Sequence, residues 1–259
     1  MTRLAKAVRA AGLMPLVKPV AERAAGMMGM RIAPVGQTPG AAWLGLSKLP
    51  IRTVLDIGAC KGGFAKEILS PRFPNAVIHS FEPSPEAFPH LKAKAEASGG
   101  RHIAHNFGLG ETAGTLTLHS AVDALPASSL LPSTAENTAA FPQVARTQDF
   151  KVEIKVLDDV AATLQPSIAD GLLVKIDVQG FEDRVIRGGR KTIAQALAVI
   201  VEIQNAYLYD GQPTFRDIFM EFDVLGFSFA GVLDQYTGTD GQVLYYDAIF
   251  MKPARSGES

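Results

Sequence analysis

Val54-Leu55-Asp56-Ile57-Gly58-Ala59-Cys60-Lys61-Gly62-Gly63-Phe64 is the stretch that decides how this chain folds. Its pattern predicts a buried strand, Thr53 to Ile57, running into a glycine-bearing turn and then a helix, Phe64 to Leu69. Glycine in such a turn adopts φ values that a Cβ forbids and lets a ligand come close to the backbone. The helix beginning behind it presents N–H groups with no intrahelical partner, which suit a carboxylate.

A dinucleotide fingerprint reads G-x-G-x-x-G, with an acid ~20 residues further on. Here Asp56 replaces the first glycine, and the spacing that follows is Gly58-x-x-x-Gly62. An acid at a strand tip repels a pyrophosphate but suits a cationic amino-acid group. S-adenosyl-L-methionine, with its ammonium, carboxylate and sulfonium, fits better than NAD. Asp56, Gly58, Ala59, Lys61, Gly62 and Phe64 are therefore candidate cofactor contacts. The competing view of the same residues is a structural turn with no ligand. Ala76 to Glu82 predicts a second strand that ends on an acid just before Pro83. A carboxylate at that tip accepts hydrogen bonds from ribose hydroxyls, and Glu82 follows Asp56 by 26 positions, near the expected spacing.

The chain has 259 residues, 47% hydrophobic and 20% charged, enough to bury a sizeable core. Its formal net charge of −1 argues against an extended nucleic-acid footprint. Cys60 is the single cysteine and cannot form an internal disulfide, which favours a reducing, cytoplasmic setting. Residues 1–49 form an N-terminal helical extension, and residues 50–259 the main domain. In the extension, Arg3, Lys6 and Arg9 are basic, and Leu4, Val8 and Ala11 fall at helical spacing. Such a helix either meets a membrane surface peripherally or serves as a cap or homo-oligomer contact. Its apolar run is too short to span a bilayer.

Past Glu82, a helix carries Ala87, Phe88, Leu91 and Ala95 on one face and runs out at Gly99-Gly100. A third strand, Arg101 to Phe107, places Asn106, Phe107 and Gly108 where an adenine would sit; Asn106 serves equally as a turn residue. Two alternating strands, Gly114 to His119 and Phe150 to Val156, bracket an inserted loop at about residues 120–149, rich in Ser, Thr, Ala and Pro. Another buried strand, beginning at Leu172, ends on Asp177 before Val178-Gln179-Gly180-Phe181-Glu182.

V-L-D-I-G-A-x-x-G, F-E-P and K-I-D-V-Q-G-F-E, followed by a helix ending in R-G-G, resemble the FkbM family of S-adenosylmethionine-dependent methyltransferases over about residues 50–252. The family usually carries Glu where this chain has Gln179. The resemblance implies an α/β, Rossmann-like class I methyltransferase fold: a seven-stranded, mostly parallel sheet with helices on both faces, plus inserted strands. It also implies methyl transfer to oxygen, often on a sugar, glycan or natural-product hydroxyl. Asp177, at the strand tip beside the expected methyl group, is the first candidate base, with Glu202 and Glu182 as further catalytic candidates. Asp177 is also a cofactor contact, and the alternative is a carboxylate that only orients loop backbone. No His or Cys cluster supports zinc, and Asp177 with Glu202 makes only a weak magnesium pair. Methylation of RNA or protein, or a non-catalytic membrane-surface protein with a vestigial nucleotide pocket, are the competing functions.

Overall fold

The computed structural model describes residues 42–165, 167–168 and 171–252, which lie in one compact unit beginning at Ala42. The basic segment around Arg3, Lys6 and Arg9 lies outside the described residues.

The strands are β1 (Thr53–Ile57), β2 (Val77–Phe81), β3 (His102–His105), β4 (Gly108–Gly110), β5 (Gly114–Ala121), β6 (Thr147–Val156), β7 (Leu172–Ile176), β8 (Ala196–Gln204), β9 (Ser228–Thr237) and β10 (Val243–Met251). Seven of them form one sheet in the order β3-β2-β1-β7-β8-β10-β9. β1 pairs parallel with both β2 and β7, and β7 with β8, whereas β10 runs antiparallel to β8 and β9. Strand order therefore reverses beside β1: chain order runs outward through β2 to β3 on one side and through β7 to β8 on the other. Ligands in open α/β sheets bind outside the carboxyl ends of the strands at such a point.

Sequence pattern explains the central strands. All five residues of β1 and all five of β7 are buried, as continuous apolar runs in a parallel sheet covered on both faces should be. One face packs Leu55, Ile57, Val174, Ile176 and Val201 against helices; the other packs Val54, Ile78, Leu173 and Ile200. Each such side chain contributes about 1.5–3 kcal/mol of burial. Helix α1 (Trp43–Leu46) adds Leu46 to the second face.

Behind β1 the helix is a π-helical turn, Ala65–Leu69, continued by α2 (Ser70–Arg72). Helix α3 (Phe88–Glu96) ends before Gly99 and Gly100, both at positive φ. Strands β4, β6 and β5 form a separate small sheet over the carboxyl ends. Residues 120–149 hold more order than a long loop: α4 (Ala135–Ala140) lies between two 3-10 turns, with Thr134 capping it through Asn137 N. The periodicity there was masked by short elements and prolines. α5 (Leu157–Ala161), α6 (Glu182–Gly188), α7 (Arg190–Ile193) and α8 (Phe215–Val224) complete the domain, α8 opening on a Thr214/Asp217 capping box. Among the described residues no helix is long and apolar enough to cross a membrane.

Candidate active site

Two loops at the carboxyl ends of β1 and β7 press against each other. A Cβ on Gly58, at φ +80°, would lie 1.8 Å from the carbonyl oxygen of Asp177, so only glycine fits. Among the described residues, the two non-glycines at positive φ, Cys60 (+47°) and Gln179 (+56°), sit one in each loop. Backbone held in this region concentrates at functional sites.

Glu82 ties the first loop to the tip of β2. One of its oxygens accepts from Cys60 N at 2.7 Å and the other from Ser84 N at 2.7 Å. Burial pushes its carboxyl up to about 7, against the pull of those two amides. Asn106, itself exposed, donates its side-chain amide to the Glu82 carbonyl at 3.0 Å. A cavity opens here, lined by Gly58, Cys60, Glu82, Pro83, Gly108 and Asp177 among others. The inserted segment closes its far side with Leu125, Pro126, Ser128 and Leu130.

Asp56 is placed differently from the sequence expectation. It is fully buried, is absent from the lining of this cavity, and accepts from Ser80 Oγ at 3.1 Å. The pairing of β1 with β7 sets Asp56 opposite Lys175, whose Nζ lies 3.8 Å from Asp56 and 2.9 Å from Asp177. Burial opposes charge on Lys175, yet Asp177 and then Asp56 hold its ionisation above the ordinary lysine value. Burial raises Asp56, and Lys175 partly offsets the rise. Asp56 is thus a buried counter-ion beneath the loop rather than a lining residue. The period of a strand sends alternate side chains to opposite faces, so an acid near a strand tip need not face the ligand.

Lys61, Phe64, Ala59, Gly62 and Phe107 also stay off the cavity lining. Gly62 packs against Leu91, where a Cβ would meet the side chain at 2.7 Å, and Phe64 receives the Lys175 ammonium 5.0 Å from its ring. Phe107 packs against Phe81 and His105. Gly108 does face the cavity; a Cβ there would strike Ile154 at 2.7 Å. His102 donates to or accepts from Ser80 Oγ at 2.7 Å, His105 lies against His79, and burial pushes both down to about 4. His119 pairs with Asp149 on the small sheet.

A second cavity of about 360 Å³ adjoins the first, sharing Pro126, Asp177 and Gln179. The free volume of this second cavity falls within the ~300–1,000 Å³ usual for small-molecule sites. Asp177 stands at the junction. Gln179 Nε2 donates to Asp177 Oδ1 at 2.7 Å and to Glu202 Oε1 at 2.7 Å. Gln204 donates to the same Glu202 oxygen at 2.8 Å, and the Tyr209 hydroxyl donates to Gln179 Oε1 at 2.7 Å. Burial, followed by the neighbouring Asp177, raises Glu202 well above an ordinary glutamate.

Glu182 does not line either cavity. It is fully buried, and one oxygen accepts from Val178 N and Gly180 N, both at 3.1 Å, stapling the second loop. Burial pushes it to about 7. Among the described residues no group of three His, Cys, Asp or Glu side chains is arranged around a metal position.

Residues that sequence patterns did not single out are Lys175, Phe141, Tyr236 and Tyr245. A cation inside the apolar run Leu172–Ile176 was the visible signal for the first. The tyrosines lie on the two arms of the Gly238–Gly241 turn, two residues before it and four after it, a spacing that gives no local signal of their pairing.

A parallel sheet with one antiparallel strand, a carboxylate at the tip of the second strand and a two-chambered cleft at the switch point define a Rossmann-like protein of the class I methyltransferase type. The model of the family described as "Methyltransferase FkbM domain" matches residues 56–229, and the chain belongs to that family. A curated relative, the 2-O-methyltransferase NoeI of Sinorhizobium fredii (strain NBRC 101917 / NGR234), is 28% identical over 207 residues, covering 77% of this chain and 81% of that protein. The crystal structure of methyltransferase FkbM from Methylobacillus flagellatus KT aligns with TM-score 0.46 and 14% identity over 78% of this chain; the chain spans about half of that one, 47%. Magnesium protoporphyrin IX methyltransferase from Synechocystis PCC 6803, solved with bound SAM, aligns with TM-score 0.44 and 14% identity over 82% of this chain and 76% of that one.

Proposed function

We propose that this chain transfers a methyl group from S-adenosylmethionine to a hydroxyl of a sugar, glycan or natural-product acceptor, with Asp177 as the base. The observation that carries this is the position of Asp177 at the junction of the two cavities, between Lys175 and Gln179.

The first cavity suits the cofactor. Gly58, Glu82 and Gly108 line it together, and Glu82 offers lone pairs beyond those its two amide donors use, suited to ribose hydroxyls. The cofactor supplies an electrophilic methyl on a sulfonium. The protein's part is alignment and a site shielded from water, with a carboxylate to take the proton of the attacking hydroxyl. Gln179 fixes the Asp177 carboxylate from one side and Lys175 from the other. Glu202, reached through the same amide, is a second proton acceptor facing the acceptor chamber. The relative that carries the name 2-O-methyltransferase supports oxygen as the atom methylated.

The test is isothermal titration of the full chain with S-adenosylhomocysteine, followed by incubation with methyl-labelled cofactor and hydroxyl acceptors. Binding that is lost in Glu82→Ala, with label transferred to oxygen by the wild type and not by Asp177→Ala, is the expected result. A folded wild type that binds no S-adenosylhomocysteine overturns the proposal.

A further inference from the structure

We propose that Phe141, Tyr236 and Tyr245 form the platform on which the acceptor lies, and that this platform takes an uncharged sugar ring while rejecting acceptors that carry phosphate or carboxylate. The inference rests on the methyltransferase function proposed above.

The register of three strands builds the surface. Tyr245 lies opposite Gln204 on β8 and Tyr236 on β9; two residues on, Asp247 lies opposite Glu202 and Asp234. Positions two apart share a face of the sheet. Two rows therefore cross the sheet edge side by side, Gln204–Tyr245–Tyr236 and Glu202–Asp247–Asp234. The tyrosine rings are parallel to within 3°, with centroids 5.1 Å apart. Phe141, from the inserted segment, leans over them at 5.5 and 6.3 Å. All three rings stand in chambers that also hold Glu202, yet Tyr236 keeps 45% of its surface exposed. A large aromatic face left open inside a cavity beside its proton acceptors is a surface waiting for a partly apolar ligand.

Charge narrows the class. Among the described residues, no Lys, Arg or His lines the acceptor chamber or the side chamber beyond Tyr236 and Tyr245. Glu202, Asp247 and Asp234 are carboxyl groups directly opposite one another, an arrangement that costs stability unless hydrogen-bond donors satisfy it. A pyranose supplies both needs, C–H groups for the rings and several hydroxyl donors for the carboxylates. A phosphate or uronate would add negative charge beside a row whose neighbouring cation, Lys175, is already shared with Asp56 and Asp177.

The test is saturation-transfer NMR on the full chain with S-adenosylhomocysteine present. Methyl β-D-glucopyranoside, N-acetylglucosamine and cellobiose serve as neutral probes, and methyl β-D-glucuronide and glucose 6-phosphate as charged ones. Ring-proton transfer to neutral probes, about tenfold weaker for charged probes, is expected. Tyr236→Ala should weaken it about tenfold and Tyr236→Phe should retain it, with S-adenosylhomocysteine affinity unchanged in both. Equal transfer to the charged probes, retention in Tyr236→Ala, or no transfer to any neutral probe overturns the inference and leaves the cofactor assignment standing. Failure of the wild type to bind S-adenosylhomocysteine overturns both.

Discussion

Gln179 Nε2 lies 2.7 Å from Glu202 Oε1, and the same nitrogen reaches Asp177 at 2.7 Å. With the Lys175 ammonium on the other oxygen of Asp177, one amide thus bridges two acids. Its backbone, at φ +56°, is held in the left-handed region to do so.

Gln179→Glu would replace that donor with a third carboxylate. Like charges at this separation share protons rather than ionise together. The variant should lose about 2–4 kcal/mol of stability at pH 8.5 and recover most of it at pH 5.5, where the added group is protonated. Thermal melts at the two pH values check this: a drop in Tm of about 5–10 °C at the higher pH only is expected. Equal melts at both would mean that the amide does not hold the two acids together.

Gly58→Ala tests the contact between the two loops. A Cβ would lie 1.8 Å from backbone that cannot swing aside, at a φ that L side chains rarely adopt. A cost of at least ~3 kcal/mol is expected, with loss of S-adenosylhomocysteine binding. Gly63→Ala is the control, since a Cβ there meets nothing within 4 Å. Urea titration of both variants separates a steric effect at one position from general intolerance in the loop.

Much of this fold was legible because β1 and β7 are mostly apolar runs, each with one charged residue, followed by glycine-bearing turns, and because the Gly99-Gly100 and Gly238–Gly241 turns punctuate the chain. That Glu82 and Asp177 line the cleft was legible too, since strand tips at a switch point face it. Asp56 was not. Its direction depends on strand parity and on Lys175 one strand away, which no local pattern encodes. The Glu182 staple was likewise hidden, because an acid just after a glycine turn reads the same whether it faces a ligand or caps its own loop. The tyrosine platform depends on the β9–β10 register, which includes shifts at Val243/Tyr245 and Asp247/Ala248 that sequence spacing does not reveal.

Glu82 gives the cofactor chamber a pH dependence. Its folded ionisation lies near 7 against an ordinary 4.5, so the folded protein holds the proton more tightly than the unfolded chain. This group's contribution to stability therefore falls as pH rises from about 4.5 to 7 and is flat beyond. Ligand affinity moves the other way, because ribose hydroxyls donate best to the ionised carboxylate. Titration calorimetry from pH 5.5 to 8 should show S-adenosylhomocysteine binding strengthening up to about tenfold per pH unit below 7 and levelling above it. Glu82→Gln should bind more weakly at pH 8 and flatten the profile. A wild-type profile already flat would remove Glu82 from the binding equilibrium.

Lys175→Met removes the cation shared by Asp56 and Asp177. Asp56 is fully buried, so the loss leaves its carboxylate with Ser80 alone. Stripping one partner from a buried ion pair costs about 3–5 kcal/mol, much more than a surface pair. Because the folded ionisation of Lys175 is raised, its contribution is fully present below the ordinary lysine value of 10.5 and is lost only as pH climbs through the higher folded value. The deficit of the variant should therefore be constant from pH 7 to 9. It should shrink in acid, where Asp56 takes up a proton. Adding Asp56→Asn to Lys175→Met should restore part of the stability, since an amide needs no counter-ion there. Urea denaturation of the two single variants and the double variant measures that coupling; a double variant no more stable than Lys175→Met would mean that Lys175 acts on the loop through Asp177 alone.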